Sequence, residues 1–353
     1  MPLHPGAPVK ELQSMTRFRR LPGLYVTLLV ALVLAGLTFP ACASDRSFEA
    51  VKKLGRGINI LGYDGIWEGG INAPFRMSYL KRIRDAGFDH VRINFFAFKF
   101  MNDAGLVDEA VLRRLDHVIE QVAHNGLIPV LDEHDYGACQ SRPLECAEKL
   151  KSFWKQISDR YAGKFPTLIF ELLNEPGGDM TAAAWNALAG ELLKTIREKN
   201  PDRLIIVAAI NSEDLTRIEH PTLPENDRNL ILTFHYYAPF AFTHQGAPWS
   251  ADLTKLKDVK WGSRADRERM TEDFDRISEW SKRENRPIYL GEFGVLEYAP
   301  LPDRLRYIRR IVREAERRGW SWAYWQFDHD FAAFDTTSES WVRPVLNALI
   351  PQR

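Results

Sequence analysis

Two acidic residues stand where apolar segments of the chain end. The stretch T-L-I-F-E-L-L-N-E-P-G-G, residues 167–178, places Asn174 and Glu175 after an apolar run, and I-Y-L-G-E-F-G, residues 288–294, places Glu292 similarly. Glu175 alone could be a helix cap, because proline suits the first helical position and an acid suits the positive helix end. Two carboxyl groups across one cleft would instead suit cleavage of a glycosidic bond: one protonates the leaving oxygen, and the other attacks the anomeric carbon or activates water. A separation of about 5 Å would mean retention of configuration and about 6.5 Å or more would mean inversion; the sequence leaves this distance open.

Five further residues follow apolar segments in the same way: Arg92, His134, His235, Tyr237 and Trp325. If these segments are strands of a barrel, their carboxyl ends meet at one mouth, where such folds carry out their chemistry. Each position also has a structural interpretation. Arg92 could form an ion pair, His134 could be a buried core histidine, and Trp325 could fill the barrel.

A metal-dependent hydrolase is a rival interpretation of this set. Its ligands would come from Asp132, His134, His235 and Asp328. Neither an H-x-H motif after the first strand nor an H-E-x-x-H motif occurs, and these are the spacings that zinc hydrolases use. The sequence therefore favours a reaction without a metal or other cofactor.

The segments that carry these residues alternate in character along the chain. Short runs rich in Ile, Val, Leu and Phe are separated by longer stretches of helical period, such as 108–125, 266–284 and 304–318. This alternation is typical of repeated strand-helix units with a parallel sheet. Eight strands are predicted, which indicates an α/β fold of the (β/α)8, or TIM barrel, class: 57–61, 90–94, 128–132, 168–172, 204–208, 230–235, 288–292 and 321–326.

Residues 1–43 have the composition of an export signal. A basic lead precedes an apolar run at 24–39, and Ala41-Cys42-Ala43 fits a small-x-small cleavage site. An uncleaved anchor is the alternative, although the run is shorter than the roughly 20 residues that span a bilayer. We expect residues 44–353 to form a single exported domain, in the bacterial periplasm or outside the cell, without stable membrane insertion after cleavage.

The charge of this domain is nearly balanced. Removing four basic residues and one acidic residue with the signal, from 47 of each in the chain, leaves a net charge of −3. This balance gives no indication of nucleic-acid binding. We expect a monomer.

Cys139 and Cys146 remain after signal cleavage, in the stretch D-Y-G-A-C-Q-S-R-P-L-E-C. In an oxidising compartment, such an even and local pair predicts a disulfide. A metal site that combines both cysteines with His134 is the alternative, but it lacks a fourth well-spaced ligand.

The longest irregular connection, 238–265, follows the sixth predicted strand. It contains four aromatic residues, Phe240, Phe242, Trp249 and Trp261. Connections of this length are often functional, and these rings could stack on sugars. They could equally well pack the loop onto the barrel.

The order of these motifs carries a family resemblance. N-E-P, then H-x-Y, then G-E-F-G and a tryptophan on the eighth strand resemble glycoside hydrolase family 5, the cellulase family, over residues 56–325. The resemblance implies a retaining reaction with Glu175 as acid/base and Glu292 as nucleophile. It also implies that Asn174 binds the sugar 2-hydroxyl and that Arg92 and Tyr237 keep the nucleophile ionised.

The same resemblance extends to substrate binding. His134 and His235 would line the subsite of the cleaved sugar, with Trp325 as its stacking floor. Stretches after strands one and six resemble those of bacterial endoglucanases and make Tyr63, Trp67, His244 and Trp249 candidates for binding further sugar units.

The implied activity is that of a retaining endo-β-glycanase on a polysaccharide or oligosaccharide, with β-1,4-glucan favoured. Mannan, xylan and β-1,3-glucan specificities, or exo action, remain alternatives. A barrel that binds glycans without cleaving them is a further alternative, against which the intact carboxylate pair argues.

Overall fold

The protein is described by a computed structural model that covers residues 43–70, 73–211, 215 and 221–351. Eight parallel strands pair in chain order, and the first pairs with the last, so the sheet closes into a barrel. The strands are β1 (Arg56–Ile60), β2 (His90–Phe95), β3 (Ile128–Glu133), β4 (Ile169–Glu171), β5 (Ile205–Ala208), β6 (Leu230–Tyr236), β7 (Ile288–Phe293) and β8 (Ser321–Tyr324). The predicted (β/α)8 barrel is confirmed, with strand ends within two residues of the predicted ones.

Most helices lie between consecutive strands of the barrel, whereas the first precedes β1 and the last follows β8. The helices are α1 (Ala43–Leu54), α2 (Ser78–Asp85), α3 (Glu109–His124), α4 (Tyr136–Ser141), α5 (Pro143–Arg160), α6 (Ala182–Arg197), α7 (Phe240–Thr243), α8 (Arg264–Glu284), α9 (Leu301–Arg317) and α10 (Arg343–Leu349). Two short strands, β9 (Phe334–Asp335) and β10 (Ser340–Trp341), form an antiparallel pair.

Helix α3 shows how local sequence sets these elements. Asp108 caps its first turn by accepting hydrogen bonds from the backbone amides of Ala110 and Val111. Apolar residues recur at helical spacing, so that Leu115 and Ile119 are buried on the face that meets the barrel.

Helix α1 packs against the end of the barrel that lies opposite the strand carboxyl ends. Its Val51 and Leu54 belong to one apolar cluster with residues from β3 to β8. His90 also lies there: one ring nitrogen is 2.6 Å from the Leu54 carbonyl and the other is 3.0 Å from the Tyr289 hydroxyl. Burial lowers the pKa of His90 to about 3, so this histidine is neutral.

A β-bulge between β6 and β7 changes the register just before the strands end. Phe234 pairs with Leu290, but the next residue, His235, pairs with Glu292, and Gly291 is skipped. A Cβ at Gly291 would lie 2.9 Å from His235 Nε2, closer than real Cβ contacts allow. The bulge and the glycine therefore bring His235 directly opposite Glu292.

Cys139 in α4 and Cys146 in α5 form a disulfide, as the sequence predicts. The predicted export signal, 1–43, lies outside the described residues except for Ala43, the first residue of α1. Among the described residues, no helix combines the length and apolar character that crossing a bilayer requires.

Candidate active site

Glu175 lies just beyond the end of β4, in a backbone conformation with φ of 40°. Its side chain is 15% exposed, and Oε1 is 2.6 Å from His235 Nδ1. The carbonyl oxygen of Glu175 accepts a hydrogen bond of 3.0 Å from Gln140 Nε2. Both ends of this residue are therefore held, while its carboxyl group keeps access to the barrel mouth.

Glu292 lies on β7 and is more deeply buried. Its Oε1 accepts a hydrogen bond of 2.6 Å from Arg92 Nη1, and its Oε2 accepts one of 2.9 Å from the Tyr237 hydroxyl. Both donors stabilise the ionised form of this carboxylate.

The two carboxyl groups face each other. One oxygen of Glu175 and one of Glu292 lie, together with a ring nitrogen of His235, within 4.8 Å of one another. His235 Nδ1 is also 3.6 Å from Glu292 Oε2. A single glycosidic bond can therefore contact both acids.

Arg92 connects Glu292 to two acidic residues inside the barrel. Its Nε and Nη2 donate to both carboxylate oxygens of Glu171 at 2.8 and 2.9 Å, and its Nη2 lies 3.1 Å from Asp132 Oδ2. Nη2 also donates to Asn174 Oδ1 at 2.8 Å. One buried guanidinium thus orients Asn174 and three carboxylates, including that of Glu292.

Glu171 is a site residue for which the sequence analysis made no prediction. It is completely buried and ends β4 among apolar residues, in the stretch I-F-E-L-L. An acid in a strand that is apolar on both faces requires a buried cation. That pattern alone would have indicated a partner such as Arg92.

Burial shifts the pKa values of both facing acids. Burial raises the pKa of Glu175 to about 7, although the positive charge of Arg92 partly opposes this. Burial also raises the pKa of Glu292, and the positive charge of Arg92 partly opposes this. Burial lowers the pKa of His235 to about 4, so its imidazole is neutral near pH 7. Burial thus favours the protonated form of Glu175, whereas the donors Arg92 and Tyr237 favour the carboxylate form of Glu292.

His134 and Trp325 form one wall of the site. Their rings stack at a centroid distance of 5.6 Å and an angle of 5°, and His134 Nδ1 is 2.5 Å from Asp132 Oδ2. Tyr63 meets the Trp325 ring edge-on at 6.0 Å. This wall leaves an aromatic face toward the cleft, suited to a sugar ring.

The cleft has a volume of about 660 Å³ and gathers most of the predicted residues. Those that line it are Tyr63, His134, Asn174, Glu175, Tyr237, His244, Trp249, Glu292 and Trp325, joined by Tyr136, Phe240, His329, Asp330 and Phe331. Arg92 and His235 lie behind this lining and contact the two acids.

The aromatic loop after β6 divides between two uses. Phe242 and Trp261 are buried against Tyr307 at centroid distances of 5.6 and 5.1 Å, so they pack the loop onto α9. Phe240 and Trp249 are 49% and 58% exposed and line the cleft. Sequence patterns could not separate these pairs, because burial of a loop aromatic depends on the distant Tyr307.

Trp67 departs from its predicted position. It is 1% exposed, its indole packs on Phe95 at 4.8 Å, and its Nε1 donates to the Leu61 carbonyl at 3.4 Å. The 3-10 turn Gly65–Glu68, capped by Asp64, turns this ring into the core. Trp67 therefore does not line the catalytic cleft, and its proposed contact with sugar needs correction.

The alternative metal set is not assembled as the rival interpretation requires. Among the described residues, the group whose ligand atoms are close enough to share an ion is Glu175, His235 and Glu292. Asp132 contacts His134 and Arg92 instead. A cation on Glu292 would also compete with Arg92 Nη1, which already supplies positive charge to Oε1.

The comparisons with known proteins agree with this geometry. The family model described as cellulase (glycosyl hydrolase family 5) matches residues 51–330. Endoglucanase H of Acetivibrio thermocellus is 28% identical over 315 residues, which is 86% of this chain and 33% of that protein. The chain thus spans about a third of that relative's length. Cellodextrinase A of Ruminococcus flavefaciens is 28% identical over 68% of this chain and 74% of its own length.

Solved structures extend the likeness to three dimensions. Cel5A of Thermotoga maritima in complex with mannotriose is 38% identical and superposes with a TM-score of 0.81, covering 86% of this chain and all of that one. The same protein in complex with cellobiose gives a TM-score of 0.80 over 86% of this chain and all of that one, again at 38% identity. The family match, which spans most of the barrel and includes both facing acids, establishes that this chain belongs to glycosyl hydrolase family 5.

Proposed function

We propose that the protein is a retaining endo-β-glycanase that cleaves β-1,4-glucan, with Glu175 as general acid/base and Glu292 as nucleophile. The observation that carries this proposal is the approach of their carboxylate oxygens to within 4.8 Å. Retaining enzymes place these groups about 5 Å apart, whereas inverting enzymes leave about 6.5 Å or more for a water molecule. The geometry supports retention.

In the first step, Glu175 donates its proton to the glycosidic oxygen as the bond to the anomeric carbon breaks. A carboxylate oxygen of Glu292 forms the new bond to that carbon, which gives a covalent glycosyl-enzyme. In the second step, Glu175 takes a proton from water, the resulting hydroxide attacks the anomeric carbon, and Glu292 leaves as the carboxylate. The pKa of about 7 for Glu175 suits both directions of proton transfer near neutral pH.

The surrounding residues supply orientation. Arg92 and Tyr237 hold the two oxygens of Glu292 and so fix the nucleophile. Asn174 is anchored through its Oδ1 by Arg92, which leaves its amide nitrogen to donate to the sugar 2-hydroxyl. His134, His235 and Trp325 surround the sugar whose bond is cleaved.

The choice of β-1,4-glucan follows the relatives, whose names are endoglucanase and cellodextrinase. β-Mannan is the second candidate substrate, because the Thermotoga maritima structure contains mannotriose in one crystal and cellobiose in another. An endo mode of action fits an open cleft in which the exposed Tyr63 and Trp249 can contact sugars beyond the cleaved bond.

The acid role is tested with Glu175→Gln and two substrates that differ in their leaving group. We expect kcat/KM for cellotetraose to fall by about 10³-fold, while kcat/KM for 2,4-dinitrophenyl cellobioside stays near that of the parent protein. Dinitrophenolate leaves without a proton, so only the unactivated substrate needs the acid. An equal loss on both substrates would contradict the assignment.

The nucleophile is tested with a 2-deoxy-2-fluoro cellobioside that carries a good leaving group. The parent protein should gain the mass of one glycosyl unit on the peptide that contains Glu292, as read by mass spectrometry. Glu292→Gln should gain none. A label on any other residue would refute the role of Glu292.

We also propose that the protein is exported and acts as a monomer on a polysaccharide outside the cytoplasm. The basic and apolar leader at 1–43 supports export, and the disulfide of Cys139 and Cys146 fits an oxidising compartment. Mass spectrometry of the protein recovered from the medium or periplasm should give an N-terminus at Ser44, whereas an uncut leader in a membrane fraction would indicate an anchor.

A further inference from the structure

The loop that carries Glu175 rests on the short helix α4 through one residue, Gln140. Its Nε2 donates to the Glu175 carbonyl at 3.0 Å, and its own carbonyl accepts a hydrogen bond of 2.8 Å from the Asp179 amide. Gln140 therefore forms hydrogen bonds with the loop at two positions, Glu175 and Asp179, which are four residues apart.

Gly178 allows the loop to approach Gln140 closely. Gly178 has φ of 62°, and a Cβ there would lie 2.7 Å from both the Cβ and the carbonyl oxygen of Gln140. A glycine is required for α4 and the loop to pack this closely. The contact is thus built into the sequence E-P-G-G that follows Asn174.

Glu175 needs such support from outside its own segment. Its φ of 40° lies in a region that residues other than glycine seldom adopt, and such a conformation persists only when neighbouring groups hold it. His235 contacts the side chain of Glu175 and not its backbone. The hydrogen bond from Gln140 therefore holds the backbone of Glu175 on the side that faces α4.

Helix α4 has only six residues, and its position is set by α5. The disulfide joins Cys139, the neighbour of Gln140, to Cys146 in α5, and both cysteines are buried. Helix α5 is fixed in turn on the strand that leads to Glu175, because Trp154 Nε1 donates to the Leu172 carbonyl at 3.0 Å. A continuous path thus runs from β4 through α5 and the disulfide back to Glu175.

We propose that Gln140 is a positioning residue for the general acid and that the disulfide of Cys139 and Cys146 maintains its position. This inference rests on the proposed role of Glu175. When an external dithiol reduces the disulfide, the dithiol is oxidised to its own disulfide, and Cys139 and Cys146 become thiols. The reduction frees α4 and lets Glu175 move away from the glycosidic oxygen. The oxidised form is then the form with full activity on natural substrates.

The test uses Gln140→Met, which keeps the length of the side chain but removes the N–H donor. The matched control is Gln121→Met on α3, outside the cleft. We expect kcat/KM for cellotetraose to fall about 10- to 100-fold in Gln140→Met, since a displacement of about 1 Å can cost about 100-fold. For 2,4-dinitrophenyl cellobioside, kcat/KM should remain within about twofold of the parent protein, because that substrate needs no acid.

The disulfide is tested in the full-length processed protein by Cys139→Ser combined with Cys146→Ser, and independently by treating the parent protein with dithiothreitol below its melting temperature. In both experiments, we expect the ratio of kcat/KM for cellotetraose to kcat/KM for 2,4-dinitrophenyl cellobioside to fall, as it does in Gln140→Met. The ratio is measured per folded protein, with folding followed by near-UV circular dichroism, so that loss of folded material does not affect it.

The outcomes separate this inference from the proposed function. An unchanged ratio in Gln140→Met, while Glu175→Gln shows the leaving-group dependence, overturns the positioning role alone. A ratio that falls in Gln140→Met but is unchanged in both disulfide experiments overturns the role of the disulfide. Glu175→Gln without leaving-group dependence overturns the assignment of the acid itself.

Discussion

Tyr237 donates its hydroxyl hydrogen to Oε2 of Glu292 across 2.9 Å, on the side opposite the Arg92 contact. Burial raises the pKa of Tyr237 well above its usual value, so the phenol remains protonated and always acts as the donor. Both carboxylate oxygens of Glu292 are therefore held by groups that do not titrate near neutral pH.

Tyr237→Phe removes one of these donors and keeps the ring. A hydrogen bond to a charged group contributes about 1.5 to 3 kcal/mol, so we expect kcat/KM to fall about 10- to 100-fold. The carboxylate also becomes harder to ionise, so the acidic limb of the pH profile of kcat/KM should move to higher pH. Tyr298→Phe, at an exposed tyrosine outside the cleft lining, serves as control. An acidic limb that stays in place would contradict the role of Tyr237.

Arg92→Met should destabilise the protein strongly, because Glu171 and Asp132 are completely buried and lose their shared cation. Breaking such a buried cluster costs about 3 to 5 kcal/mol in the free energy of unfolding. The loss should be smaller at pH 5 than at pH 8, because the abandoned carboxyl groups can take up protons. Urea unfolding at both pH values measures it. Arg84→Met, in the exposed pair with Asp89, should cost less than about 1 kcal/mol.

Glu175→Gln should stabilise the protein in alkaline solution. The pKa of Glu175 rises from its usual 4.5 to about 7 on folding, so the folded state binds more protons between these values and stability falls as pH rises through them. Glutamine has no such dependence, so the gain should be absent at pH 4 and reach up to about 3 kcal/mol above pH 8. Thermal unfolding of both proteins across this range provides the measurement. A gain that is equal at all pH values would rule out this titration as its cause.

Trp249 and Trp67 should respond oppositely to replacement by alanine. Trp249→Ala removes an exposed cleft aromatic, so KM for cellopentaose should rise several-fold while the melting temperature stays nearly constant. Trp67→Ala opens a cavity against Phe95 and should cost about 3 to 5 kcal/mol of stability, with KM per folded protein unchanged. A raised KM in Trp67→Ala at full stability would restore its predicted role in binding sugar.

A chelator should leave the reaction unaffected, because Arg92 already occupies the charge-stabilising position at Glu292. Incubation with excess EDTA, followed by assay of cellotetraose cleavage, tests this expectation. Excess Zn²⁺ should inhibit, since Glu175, His235 and Glu292 could bind it and displace the catalytic proton. Activity lost to EDTA and restored by Zn²⁺ would instead support the metal-dependent interpretation.

The fold was accessible from the sequence because strand and helix periods differ and because eight apolar segments end at one mouth. Residues such as Glu175 and Glu292 could be found for the same reason: a polar side chain at the end of a buried strand is conspicuous. The prediction for Trp67 came from the resemblance of the stretch after the first strand, and that resemblance does not show that the 3-10 turn directs the ring into the core.

Relationships across the barrel were not accessible in this way. The pairing of His235 with Glu292 depends on a bulge that skips Gly291, and no local sequence pattern predicts this change of register. The bidentate contact of Arg92 with Glu171 joins residues 79 positions apart. The approach of the two acids to within 4.8 Å is likewise a property of the closed barrel rather than of either segment.

The acidic residues around Arg92 determine the electrostatic potential at the barrel mouth. Three acids, Asp132, Glu171 and Glu292, contact a single guanidinium, and the nearby His134 and His235 are neutral because burial lowers their pKa values. The acidic groups in contact with Arg92 therefore outnumber the positive charges close to them. In the proposed reaction, this excess of acidic groups would stabilise the oxocarbenium character that a sugar acquires as its bond breaks. We therefore expect sugars with a carboxylate at the cleaved unit to bind poorly and protonated iminosugars to inhibit.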